Sequence, residues 1–199
     1  GRIEELSPRQ RWQLAVQQAA MRRDRDGLVK AFRDWKDRLP NDSRYAHLAF
    51  GLMLANQPLE CLAVLDSIDP NRRNYADKAH CHLASGRYYR GLEQARKGRE
   101  QSPDDADLAI LEATALAATG ASEAAMRLVA ETLAQPVLDE PREHVLRFWH
   151  QVDVALELRA HGDPEAAAAA LETVIAWYTE RTLREASTAA DAWRNSRAL

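Results

Sequence analysis

The chain has 199 residues, 46% of them hydrophobic and 29% charged, with only 8 Gly and 8 Pro, which is ample for one packed core. Its formal net charge of -3 argues against general affinity for nucleic acid, and no stretch approaches the roughly 18 to 20 uncharged apolar residues that cross a bilayer. The opening residues, with Arg2, Glu4 and Glu5, hold no signal-peptide apolar run, so a cytoplasmic protein is expected, although Gly1 in place of Met points to a tag scar or a fragment.

Taken in chain order, alanine- and leucine-rich helical segments alternate with short turns. Ser7 before Pro8 reads as the cap of a first helix carrying Trp12 and Val16, which turns at Arg23 to Arg25 into a second helix with Leu28 and Phe32, ending at Pro40. From Asp42, Tyr45, Leu48, Ala49 and Leu52 mark the next hairpin. It turns at Asn56 to Pro58, and its second helix, with Cys61 and Leu65, stops about one turn early at Pro70. The third runs from Arg72 to Asp105 through Tyr75, Ala79, Gly86, Tyr88 and Gly91, and the fourth from Ala106 through Ala113, Leu116, Gly120 and Ala125 to Pro136. A fifth follows with Ala155, Leu158, Gly162, Pro164, Ala167, Leu171 and Val174. Its first helix begins near Arg142 or after a loop containing Pro136 and Pro141. Beyond Ala176 the spacing of Trp177, Leu183, Ala186, Ala190 and Trp193 continues the helix as a cap on the end of the stack, or as a docking helix.

Gly86 and Gly120 lie 34 residues apart, the period of a helix-turn-helix repeat, and each is followed five residues later by a small residue, Gly91 or Ala125. An early aromatic (Trp12, Tyr45, Tyr75), a small residue four positions on (Val16, Ala49, Ala79), Gly with Tyr or Pro at the turn and a terminal Pro together resemble the tetratricopeptide family. The resemblance implies an all-α, right-handed α-solenoid. About five repeats would start near residues 9, 42, 72, 106 and 148 and fill residues 1–181, with a capping or extension helix over 182–199. Lys78 and His82 depart from the pattern, standing where apolar residues are usual.

In such a stack the first helices line a concave groove. The resemblance selects Gln13, Gln17, Phe50, Met53, Arg73, His80, Leu83, Ile110, Trp149, Val152, Leu156 and Arg159 as its lining. The apolar members would anchor an extended or helical peptide, with Gln13, Gln17, Arg73 and Arg159 meeting its backbone or acidic groups. The alternative is that these side chains belong to core contacts.

Catalytic candidates fare worse. His80 and His82 flank Cys81, but residues two apart on a helix point about 200° around the axis from one another, so they form no metal site by themselves. Cys61 and Cys81 fall at packing positions and read as reduced, buried thiols rather than a disulfide or a nucleophile. The acid pairs Asp104-Asp105 and Asp139-Glu140 read as helix caps or solvated charge. The basic run Arg22 to Arg25, continuing to Lys30, Arg33 and Lys36, is interleaved with acids and reads as a solvated helix surface; opposed charge at the two ends of the chain would favour head-to-tail association.

The expectation is therefore a non-catalytic adaptor, scaffold or chaperone with no cofactor, no metal site and a protein or peptide ligand. No membrane or nucleic acid is expected as partner, and a homo-oligomer is open. A secretion-type chaperone that holds hydrophobic segments is the more specific version. A regulatory or targeting domain cut from a larger enzyme or transcription regulator is the alternative.

Overall fold

A computed structural model describes the backbone of residues 6–36, 43–67, 72–135 and 141–196, and the side chains of all of these except 43–47, 72–73, 141–150 and 184–196. Every regular element among them is an α-helix. Ten occur: α1 (Pro8–Arg22), α2 (Arg25–Lys36), α3 (Ser43–Leu54), α4 (Pro58–Leu65), α5 (Arg72–Ala84), α6 (Tyr88–Gln101), α7 (Ala106–Ala118), α8 (Ser122–Ala134), α9 (Pro141–Ala160) and α10 (Pro164–Ser196).

The turns explain why the chain breaks into hairpins where it does. The residue that reverses each hairpin has a positive φ: Arg23 (54°), Asn56 (58°), Gly86 (71°), Gly120 (83°) and Gly162 (95°). A single left-handed residue ends a helix by letting amides beyond it reach carbonyls inside the last turn. Arg87 N thus donates to His82 O at 2.9 Å, Ala121 N to Leu116 O at 2.9 Å and Asp163 N to Leu158 O at 2.9 Å. Glycine adopts this conformation without the Cβ clash that other residues suffer.

Side chains fix the starts of α1, α7 and α10. Ser7 and Gln10 form a reciprocal capping box, with Gln10 N donating to Ser7 Oγ at 3.3 Å and Ser7 N to Gln10 Oε1 at 2.9 Å. Asp105 Oδ1 accepts from Asp107 N and Leu108 N at 3.0 and 3.2 Å, so that acid pair supplies a cap. Asp163 caps α10 by accepting from Ala166 N at 3.0 Å. Hydrogen bonds from the Ser122 hydroxyl, and then from that amide, hold the Asp163 carboxyl below its ordinary range. Asp139 and Glu140 lie outside the described residues.

The chain divides into two compact units, Gly1–Pro103 and Asp104–Leu199. In the first, each helix from α1 to α6 packs against the next, and α3 also meets α5. Its core joins Leu28, Val29 and Phe32 to Leu48, Leu52, Leu62 and Leu65, with Trp12 and Met53 packed on its edge. Trp12 stacks on Trp35 with centroids 4.9 Å apart, and meets Phe32 edge-on at 5.6 Å. Gly91 lets α6 approach α5: a Cβ there would stand 3.0 Å from Leu83 Cδ2 and 3.3 Å from Ala79 O.

In the second unit α7 packs on α8 and α9, and α10 packs on α9 and α8. α7 is buried almost all round, from Leu108 to Ala118. α10 is one continuous helix of 33 residues, so the expected extension over 182–199 begins without a break in the helix.

Candidate functional site

The expected groove residues whose side chains are described fall into three groups. Gln13 and Gln17, one turn apart on α1, are exposed, as are Leu156 (54%) and Arg159 on α9 and Phe50 (43%) on α3. Met53, His80, Leu83 and Val152 are half-buried, and their packing is partly accounted for: Met53 lies against the first unit's core, and Leu83 covers Gly91. Ile110 is only 2% exposed, so its side chain offers a ligand nothing and belongs with the buried face of α7. The side chains of Arg73 and Trp149 lie outside the described ones.

On α3 the exposed surface is continuous. Phe50 is followed one turn later by Leu54, 52% exposed, so two large apolar side chains stand together on the helix surface. Phe50 is anchored from below, its ring edge-on to Phe32 with centroids 6.3 Å apart. Leu54 is absent from the expected groove residues, although its i+4 spacing from Phe50 is a signal for it. Half-buried His80 and Leu83 belong to α5, the helix that packs beside α3.

The junction of α4 and α5 corrects one expectation. Cys61 and Cys81, read from the sequence as reduced thiols, form a disulfide, with Cα atoms 6.5 Å apart and both residues no more than 1% exposed. The reason is geometric: consecutive packed helices bring the two inward-facing positions opposite each other, within bridging range. α4 has only 8 residues, of which Leu62 and Leu65 are buried with Cys61, so the bond adds a covalent tie to a short helix that is already packed into the core. The bonded Cys81 is no metal ligand or nucleophile.

Polar neighbours reinforce the same junction. Lys78, whose side chain is 17% exposed, pairs with Asp66 at 2.8 Å. His82 is half-buried with Nδ1 lacking a hydrogen-bond partner among the described residues. Desolvation, then the charge of Arg87, hold its pKa below 6.5 and leave it neutral. The two departures from the repeat pattern thus both occur on α5 beside the bridge.

A cavity of about 450 Å³ opens between the α3–α4 and α5–α6 turns, lined by Gln57, Leu59, Glu60, Ser85 and Arg87 among others. Arg33 holds one wall by pairing with Glu60 at 2.9 Å. None of the expected groove residues lines it.

No protein-family model, no curated protein and no solved structure matches this chain. Its own residues carry the functional reading.

Proposed function

We propose that the chain is a non-catalytic interaction module, a right-handed stack of about five tetratricopeptide-like hairpins that receives a peptide or helix of a partner protein on the surface of its first helices. The observation that supports this best is the pair Phe50 and Leu54 on α3, which together place two exposed apolar side chains one turn apart. Folding alone gains little from large apolar groups left in water, whereas a partner that covers them gains roughly 25 cal/mol for each Å² of apolar surface buried. Exposed Gln13 and Gln17 supply donors and acceptors suited to a peptide backbone. Leu156 on α9 gives the second unit an apolar anchor of the same kind.

The disulfide favours a chain that matures in an oxidising compartment over the cytoplasmic placement expected from the sequence. Among the described residues no helix is long and apolar enough to cross a membrane.

Affinity capture from the native lysate tests the proposal, comparing the wild-type chain with a Phe50→Glu, Leu54→Glu double variant whose helicity is checked by circular dichroism. One or more proteins retained by the wild type and lost from the folded variant are expected. Identical retention by both would refute the role of this surface.

A further inference from the structure

The two units carry opposite charge. Residues 1–103 hold 19 Lys and Arg against 13 Asp and Glu, and residues 104–199 hold 8 against 17, so the first unit is net +6 and the second net -9. The mild overall charge conceals this polarity.

Each charge has a focus. In the first unit, Arg22, Arg23 and Arg25 crowd the α1–α2 turn, all exposed and free of ion pairs among the described residues. Two acids stand among these three arginines, Asp26 and Asp24, whose carboxylate accepts from Gly27 N at 2.8 Å at the start of α2, so the turn keeps a net positive charge. Beside the arginines stands Met21, 77% exposed. In the second unit α8 and α10 pack together. α8 exposes Glu123 and Glu131 with one base, Arg127, between them, whereas residues 164–179 of α10 carry Glu165 and Glu172 and no base. Ile175, one turn past Glu172, is 53% exposed.

We infer that this chain self-associates through charge, the Met21–Arg25 tip of one copy docking on the α8–α10 acidic face of a second copy. The partner is argued from complementarity of both kinds, with arginines meeting glutamates and Met21 meeting Ile175. A phosphate backbone satisfies only the first. Each copy offers both surfaces, so a reciprocal pair makes two such contacts and closes, while a single contact per pair propagates head to tail. The contact is salt-sensitive, because screening shortens from about 8 Å at physiological ionic strength to about 3 Å at 1 M.

The test is sedimentation velocity of the whole 199-residue chain at micromolar concentration in 50 mM and 500 mM NaCl. A dimer or larger species in low salt that dissociates in high salt is expected. An Arg22→Glu, Arg23→Glu, Arg25→Glu variant and a Glu165→Lys, Glu172→Lys variant should each be monomeric alone, and should associate when mixed, since every contact in the mixture again joins opposite charges. A monomer under all conditions overturns the inference, and so does an oligomer that survives both reversals. If instead the wild type stays monomeric while a fluorescent 20-nucleotide RNA binds it and not the arginine variant, the basic tip is a nucleic-acid surface and self-association is refuted.

Discussion

Breaking the Cys61–Cys81 bond should weaken the first unit strongly. The bridged residues are 20 apart in sequence. Closing a loop of that length in the unfolded chain corresponds to about 3 kcal/mol at 25 °C on the chain-entropy account. With an unfolding entropy of about 2.1 cal/mol/K per residue, that loss lowers Tm by roughly 15 °C if the unit ending at Pro103 melts by itself, and by roughly 8 °C if the whole chain melts as one. Calorimetry of the oxidised chain, of the chain reduced under denaturing conditions and refolded in reductant, and of a Cys61→Ala, Cys81→Ala variant reads both the magnitude and the number of transitions. Thiol counting in denaturant confirms the redox state of each sample. A reduced chain with two titratable thiols that melts within about 2 °C of the oxidised one would show that the bond contributes nothing of this size. Native protein that already carries two free thiols would refute the pairing itself.

Individual residues carry three more predictions. Gly120 has φ 83°, and nothing lies within 4 Å of where a Cβ would stand, so Gly120→Ala meets no clash. Its cost of about 1–2 kcal/mol by chemical denaturation is purely that of a left-handed alanine. His82 is held neutral below its ordinary pKa of 6.5, so the unfolded chain binds the proton more readily than the folded one. Stability should therefore fall as pH drops below about 6.5, until the folded pKa is passed, and urea midpoints of a His82→Gln variant should lack that slope. Gln151 is fully buried, and both polar atoms of its side-chain amide lack a hydrogen-bond partner among the described residues, so Gln151→Leu should raise stability by about 1–3 kcal/mol in urea titration.

The local features of the fold are legible in the sequence because they follow from backbone chemistry that a single residue reveals. Gly86, Gly120, Gly162 and Asn56 announce left-handed helix ends, and Ser7 before Pro8 announces a capped start. The shortness of α4 is visible too, from the early Pro70. What depends on one helix facing another is not. Cys61 and Cys81 each read as packing residues, and only the 6.5 Å between their Cα atoms makes them a bond. Ile110 occupies a repeat position that suggests a groove, yet α7 is covered on nearly every side, which periodicity within one helix cannot reveal. The repeat positions select Met53 rather than its neighbour Leu54, yet it is Met53 that packs on the core and Leu54 that is exposed. A shift of one residue on a helix turns a side chain by about 100°, enough to exchange those roles.

Site-specific photocrosslinking in cells reads whether partners are taken on the first-helix surface. A benzoylphenylalanine placed at Phe50 on α3 should yield a discrete crosslinked partner, whereas the same probe at Tyr89 on α6, 76% exposed, should not. Crosslinks at Tyr89 with none at Phe50 would contradict the role of that surface.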